Sequence, residues 1–115
     1  MSENKCLLVL CNTPDHATAS RIARQLVEEQ LAACVNILPA VQSLYRWQGR
    51  IEEASEVPLL VKTTQQAYAG LERRLVELHP YEVPEIVACD VARGLPAYLT
   101  WVAGEVLSST GPHGT

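Results

Sequence analysis

Cys11, His79 and Glu85 are the residues of this chain whose types could do chemistry together. A thiolate and an imidazole suit soft or borderline metals such as copper and zinc, and a carboxylate would complete the set. Their spacing is not diagnostic, because Cys6, Cys11, Cys34 and Cys89 are scattered and lack the close pairs of zinc knuckles or redox motifs. The same three positions also read as a packing thiol, a histidine favoured at a helix C-terminus by the backbone dipole, and a strand-edge charge. Cys11 could alternatively serve as a nucleophile at a helix N-terminus, with His16 or His79 as its base. No oxyanion site accompanies it, and the glycines are isolated, forming neither a P-loop nor a dinucleotide pattern. The chain therefore reads as a non-enzyme.

A second set is aromatic. Tyr45, Trp47, Tyr81 and Trp101 either anchor a subunit interface or line a small-molecule cleft at a subunit junction. Glu52, Glu53 and Glu56 read as a solvated face near a hairpin turn, or as weak collectors of divalent cations.

The chain must position these residues within 115 residues that are 48% hydrophobic, enough for one domain with a core that needs no metal or disulfide staple. A net charge of −4 without a Lys/Arg run argues against a nucleic-acid partner. No stretch reaches membrane-spanning length, the N-terminus does not read as a secretory leader, and the cysteines read as free thiols. Together these predict a cytoplasmic protein with no membrane partner.

Taken in order, the apolar run of residues 5–11 predicts a central strand covered on both faces. Thr13 as N-cap and Pro14 at the first helical position predict a helix to about Gln30, with Ala19, Ile22, Ala23, Leu26 and Val27 as its buried stripe. Residues 35–47 and 51–64 predict two long strands joined by a turn at Gln48-Gly49-Arg50. A second helix opens at Thr64 or Gln65 and ends at His79-Pro80. A strand over 85–91 follows, then a helix from Pro96 through Leu107 with contacts on more than one side. Residues 108–115 read as a flexible tail. The order β-α-β-β-α-β with an added C-terminal helix is that of an α+β, ferredoxin-like split βαβ fold.

A strand of a dozen residues would run about 40 Å, longer than the roughly 35 Å globule that a chain of this length makes. The long hairpin between the second and third strands must therefore bend or overhang. An overhang tipped with Tyr45, Trp47 and Ile51 leaves open edges and apolar surface, so the hairpin is predicted to pair with another copy of the chain. Pro39 and Pro58, which lack an amide donor, fit bulges or edges.

Five segments carry a family resemblance: Val9-Leu10-Cys11-Asn12-Thr13-Pro14-Asp15, Leu31-Ala32-Ala33-Cys34-Val35-Asn36, Ser43-Leu44-Tyr45-Arg46-Trp47-Gln48-Gly49, residues 56–63, and His79-Pro80-Tyr81-Glu82-Val83-Pro84-Glu85-Ile86. Through them the chain resembles the CutA divalent-cation tolerance family from Val9 to about Val102. The resemblance implies a cytosolic ferredoxin-like homotrimer, joined by its long hairpins and linked to tolerance of copper and other divalent metals. It implies metal binding at Cys11 and His79, with Glu85 a further possible ligand. Leu78 stands where some members carry a second histidine, which removes one imidazole. The trimer also resembles the PII signalling proteins in architecture, which implies an alternative: a sensor of small ligands at clefts between subunits.

Overall fold

The computed structural model describes residues 5–107. Its elements in chain order are β1 (Cys6–Thr13), α1 (His16–Glu28), β2 (Cys34–Ile37), β3 (Val41–Trp47), β4 (Arg50–Thr64), α2 (Tyr68–Leu78), β5 (Ile86–Asp90) and α3 (Pro96–Glu105). This is a mixed α+β fold around one antiparallel sheet in the order β2-β4-β1-β5, with β3 paired to β4 beyond that path. The tail at 108–115 lies outside the described residues.

Strand alternation decides which residues enter the core. Leu7, Val9 and Cys11 of β1 and Val57, Leu59 and Val61 of β4 point to one face, where Ala19, Ile22 and Leu26 of α1 and Leu71 and Leu75 of α2 cover them. On the opposite face α3 sits against Cys6, whose thiol donates to the Leu99 carbonyl at 3.8 Å. The edge strand β5 leaves Val87 exposed. A two-pronged contact joins the helices: Arg74 Nε lies 2.9 Å from Glu29 Oε1, and its Nη2 lies 2.9 Å from Oε2.

Several boundaries depart from the sequence expectation, each for a local reason. The N-cap of α1 is Asp15, whose Oδ1 accepts the Thr18 N–H at 2.8 Å. Thr13 instead closes β1, its buried hydroxyl donating to the Val57 carbonyl at 2.8 Å. Val27 is exposed on α1. Thr64 ends β4 and its Oγ1 accepts from the Ala67 N–H, so α2 starts only at Tyr68. Helix α3 stops at Glu105, because Val106 turns extended and the Leu107 N–H donates to the Gln30 carbonyl. Within one chain α3 buries Val102 and leaves Tyr98 and Trp101 exposed.

The long hairpin is present, but its outgoing arm is two strands. Pro39 lies between β2 and β3, where the ladder can do without an amide donor. Strand β4 runs 15 residues. Its C-terminal half pairs with β1 as far as Thr13↔Val57, whereas its N-terminal half pairs only with β3, from Val41↔Glu56 to Trp47↔Arg50. These seven pairs reach about 23 Å past the end of β1. The longest dimension of the chain is accordingly 45 Å, with a radius of gyration of 14.9 Å, against about 13 Å for a compact domain of similar size.

Gln48 (φ 51°) and Gly49 (φ 79°) make the turn. Positive φ at both central residues is the turn whose twist matches the flanking strands. No heavy atom lies within 4 Å of the Cβ that a side chain would add at Gly49, so substitution there costs backbone strain alone. Gly49→Ala is expected to destabilise the fold by about 1–2 kcal/mol, measured by denaturant unfolding; an unchanged midpoint would mean that the tip is not held in this turn.

Candidate functional site

Where β1 ends, the path to the site begins. His79 caps the C-terminus of α2 and is buried at 7% exposure. Its Nε2 lies 2.6 Å from the Asn12 carbonyl, which can only accept, so Nε2 carries the proton. The Tyr81 N–H then donates to the unprotonated Nδ1 at 3.1 Å. Both ring nitrogens are thus engaged by the protein. The His79 and Tyr81 rings lie 4.7 Å apart. Tyr81 continues the connection, its hydroxyl donating to Glu56 Oε2 on β4 at 3.0 Å. Desolvation, followed by that bond to Glu56, pushes the Tyr81 phenol up to about 12.

Cys11 and Glu85 flank this path. Cys11 is fully buried in β1, paired in register with Ile86 of β5, rather than at a strand-to-helix junction. Burial, and then the Glu85 and Glu56 carboxylates, push its thiol up to about 12. It is held as a thiol, which removes the basis for a thiolate nucleophile. Glu85 Oε1 accepts from the Asn12 side-chain amide at 3.0 Å. Asn12 therefore links two of the three predicted metal positions, through its carbonyl to His79 and its amide to Glu85. Among the described residues, no three His, Cys, Asp or Glu groups gather as a metal-holding set. As folded in one chain, Cys11, His79 and Glu85 are not a ready-made metal site, since they do not converge and the His79 Nδ1 lone pair is engaged by the Tyr81 N–H.

The aromatic set divides. Tyr45, Trp47 and Tyr81 line one cleft of about 670 Å³ with Glu52, Glu56, Glu82 and Val83. Tyr45 and Trp47 share one face of the hairpin with Glu52 and Glu56, as the pairings Tyr45↔Glu52 and Val41↔Glu56 require. The connector after α2 supplies the rest. A smaller hollow of about 380 Å³ adjoins it, sharing Tyr45 and Glu56 and adding Asn12 and Glu85. Trp101 is absent from both linings; it lies on α3 with its ring 5.7 Å from that of Tyr98.

Sequence reasoning gives Asn12 and Glu82 no role, although both stand inside the quoted motifs. It reads Glu52 and Glu56 as a solvated face or weak collectors of divalent cations, whereas the fold turns them into the cleft. The alternation of β4 carries that signal once the partner strand is known.

Comparison with known proteins supplies the remaining context. The profile of the family described as "CutA1 divalent ion tolerance protein" matches residues 7–105. A protein named "Divalent-cation tolerance protein CutA" from Thermus thermophilus is 53% identical over 95 residues, covering 83% of this chain and 92% of the relative. The solved structure of a divalent cation tolerance protein from the same organism superposes with a TM-score of 0.87 at 50% identity, covering 88% of this chain and 98% of that one. A structure titled as the periplasmic divalent cation tolerance protein CutA from Archaeoglobus fulgidus gives 0.85 at 35% identity, covering 89% and 99%.

The protonated, buried state of Cys11 has a direct readout. In native protein at pH 8.5 iodoacetamide is expected to leave Cys11 unmodified, and in guanidinium-unfolded chain to alkylate it, as mapped by peptide mass spectrometry. Rapid native labelling of Cys11 would show an accessible thiolate and overturn this description.

Proposed function

The chain belongs to the CutA1 divalent ion tolerance family, and from that premise we propose that it serves tolerance of divalent metal ions as a non-enzymatic, cytoplasmic homotrimer. The observation that carries the assembly is the overhanging hairpin. Among the described residues its seven pairs have no further strand beside them, and Leu44, Tyr45, Trp47 and Ile51 on them are 62%, 45%, 58% and 69% exposed. Leu44 and Ile51, on the face away from Tyr45 and Trp47, together with the free strand edges are what a second copy would cover. All four cysteines are free, as suits a reducing compartment.

Direct copper binding at Cys11, His79 and Glu85 would require change at the site. The Tyr81 N–H must leave His79 Nδ1, and Cys11 must lose its proton. A neighbouring subunit that shifts the 79–82 connector could supply that change. A second reading is favoured by the cleft between hairpin and connector: a trimer that senses or carries a small ligand, with the metal phenotype following from that role.

Copper titration separates these readings. Reduced, tag-free protein and the Cys11→Ser/His79→Ala variant are titrated with Cu(I) and Cu(II), and the mass of each sample is measured by light scattering. The expected mass is three times the 12.6 kDa chain; a monomer at micromolar concentration would sink the assembly. Binding that the variant retains, or none, is the expected result for the ligand reading. One equivalent per chain that the variant loses would instead assign copper handling to these residues.

A further inference from the structure

We propose that the cleft between the hairpin face and the connector at 81–83 binds a small organic cation, an ammonium or guanidinium group on an apolar body; this deepens the small-ligand reading and rests on it. The walls come first. Tyr45 and Trp47 stand on the same face of β3, and Tyr81 enters from the connector. Aromatic ring faces attract cations, and more strongly as water is excluded.

Charge points the same way. Glu52, Glu56 and Glu82 line the cleft, and no lysine or arginine does. Arg50, opposite Trp47 at the hairpin tip, is the nearest base by register and lies outside the lining. Glu56 has one oxygen engaged by the Tyr81 hydroxyl. Glu52 and Glu82 accept no side-chain hydrogen bond and form no ion pair among the described residues. Among the described residues, no ion pair compensates their charge.

Size separates an organic cation from a metal ion. A volume of about 670 Å³ lies in the range, roughly 300–1,000 Å³, that holds small organic ligands. A bare ion needs converging oxygens rather than aromatic walls, and among the described residues these carboxylates do not converge. Pairing of the hairpin with another copy through its edges would leave the site available. Such pairing uses backbone groups in the plane of the sheet, whereas Tyr45, Trp47, Glu52 and Glu56 project from its face.

The test uses the full chain carrying Trp101→Phe, so that Trp47 is the one tryptophan of the original two that remains. Tetramethylammonium chloride is titrated against sodium chloride at equal ionic strength, and 2,2-dimethylpropan-1-ol serves as the uncharged molecule of similar shape. Tetramethylammonium is expected to shift Trp47 emission saturably and the alcohol is not. Glu52→Gln/Glu82→Gln keeps the shape of the cleft and is expected to raise the apparent Kd about 2- to 10-fold; Tyr81→Leu is expected to raise it about 2- to 30-fold. A response to the alcohol as strong as to the cation, or affinity unchanged in the Gln variant, overturns the cation. The ligand reading has its own arm, a thermal-shift panel of neutral and anionic metabolites. Stabilisation there without a tetramethylammonium response overturns the cation and keeps the ligand cleft; no saturable response in either arm overturns both.

Discussion

The mismatch in length between β1 and β4 is the constraint from which the rest of the structure follows. β1 has eight residues and β4 has 15, and the ladder between them ends at Thr13↔Val57. Beyond that point β4 has a partner on one side only, and neither layer of helices reaches it. The sheet is therefore two regions on one strand. One is a conventional core, where Val57, Leu59 and Val61 are shielded by α1 and α2. The other is a ribbon that, among the described residues, only the connector after α2 approaches, and whose apolar residues stay largely exposed.

The connector after α2 is fastened at the boundary between these regions. His79 fixes it to the end of β1 through Asn12, and Tyr81 fixes it to the start of the ribbon through Glu56. Each buried polar atom in this relay has a partner, which is the condition for a polar network to stabilise rather than strain a fold. One histidine tautomer orients Tyr81, and Tyr81 forms a wall of the acid-lined cleft. Chemistry in the cleft and packing in the core are joined by three hydrogen bonds.

What is legible in the sequence is whatever is encoded locally. The apolar run of β1, the helical spacing in α1 and α2, and the glycine of the Gln48-Gly49 turn each announce their element, and strand length alone foretells a hairpin that bends or overhangs. The division of the outgoing arm at Pro39 is harder to read, because β-branched residues stand on both sides of it. The cap of α1 reads as Thr13, but that hydroxyl is spent on Val57, which is 44 residues away. The metal positions and the cleft suffer from the same blindness. Whether His79 offers a lone pair depends on Asn12, 67 residues earlier, and whether Glu56 faces solvent or Tyr81 depends on a contact spanning 25. Residue type names a capacity, and only tertiary contacts decide whether it is already in use.

The two regions of β4 also differ in how far apart their partners lie along the chain. In the ribbon the pairs open from Trp47↔Arg50 to Val41↔Glu56, so its strands can zip outward from a two-residue turn on the microsecond scale of an isolated hairpin. In the core half, Cys6 must find Thr64, and the entropy of closing that loop is lost before any contact repays it. The ribbon, which the proposed assembly would cover, is thus the part able to form first. During refolding, a nascent ribbon would stand ready as a template for pairing between chains before each chain had completed its own interior. Assembly and folding would then overlap in time, and the refolding rate would rise with protein concentration.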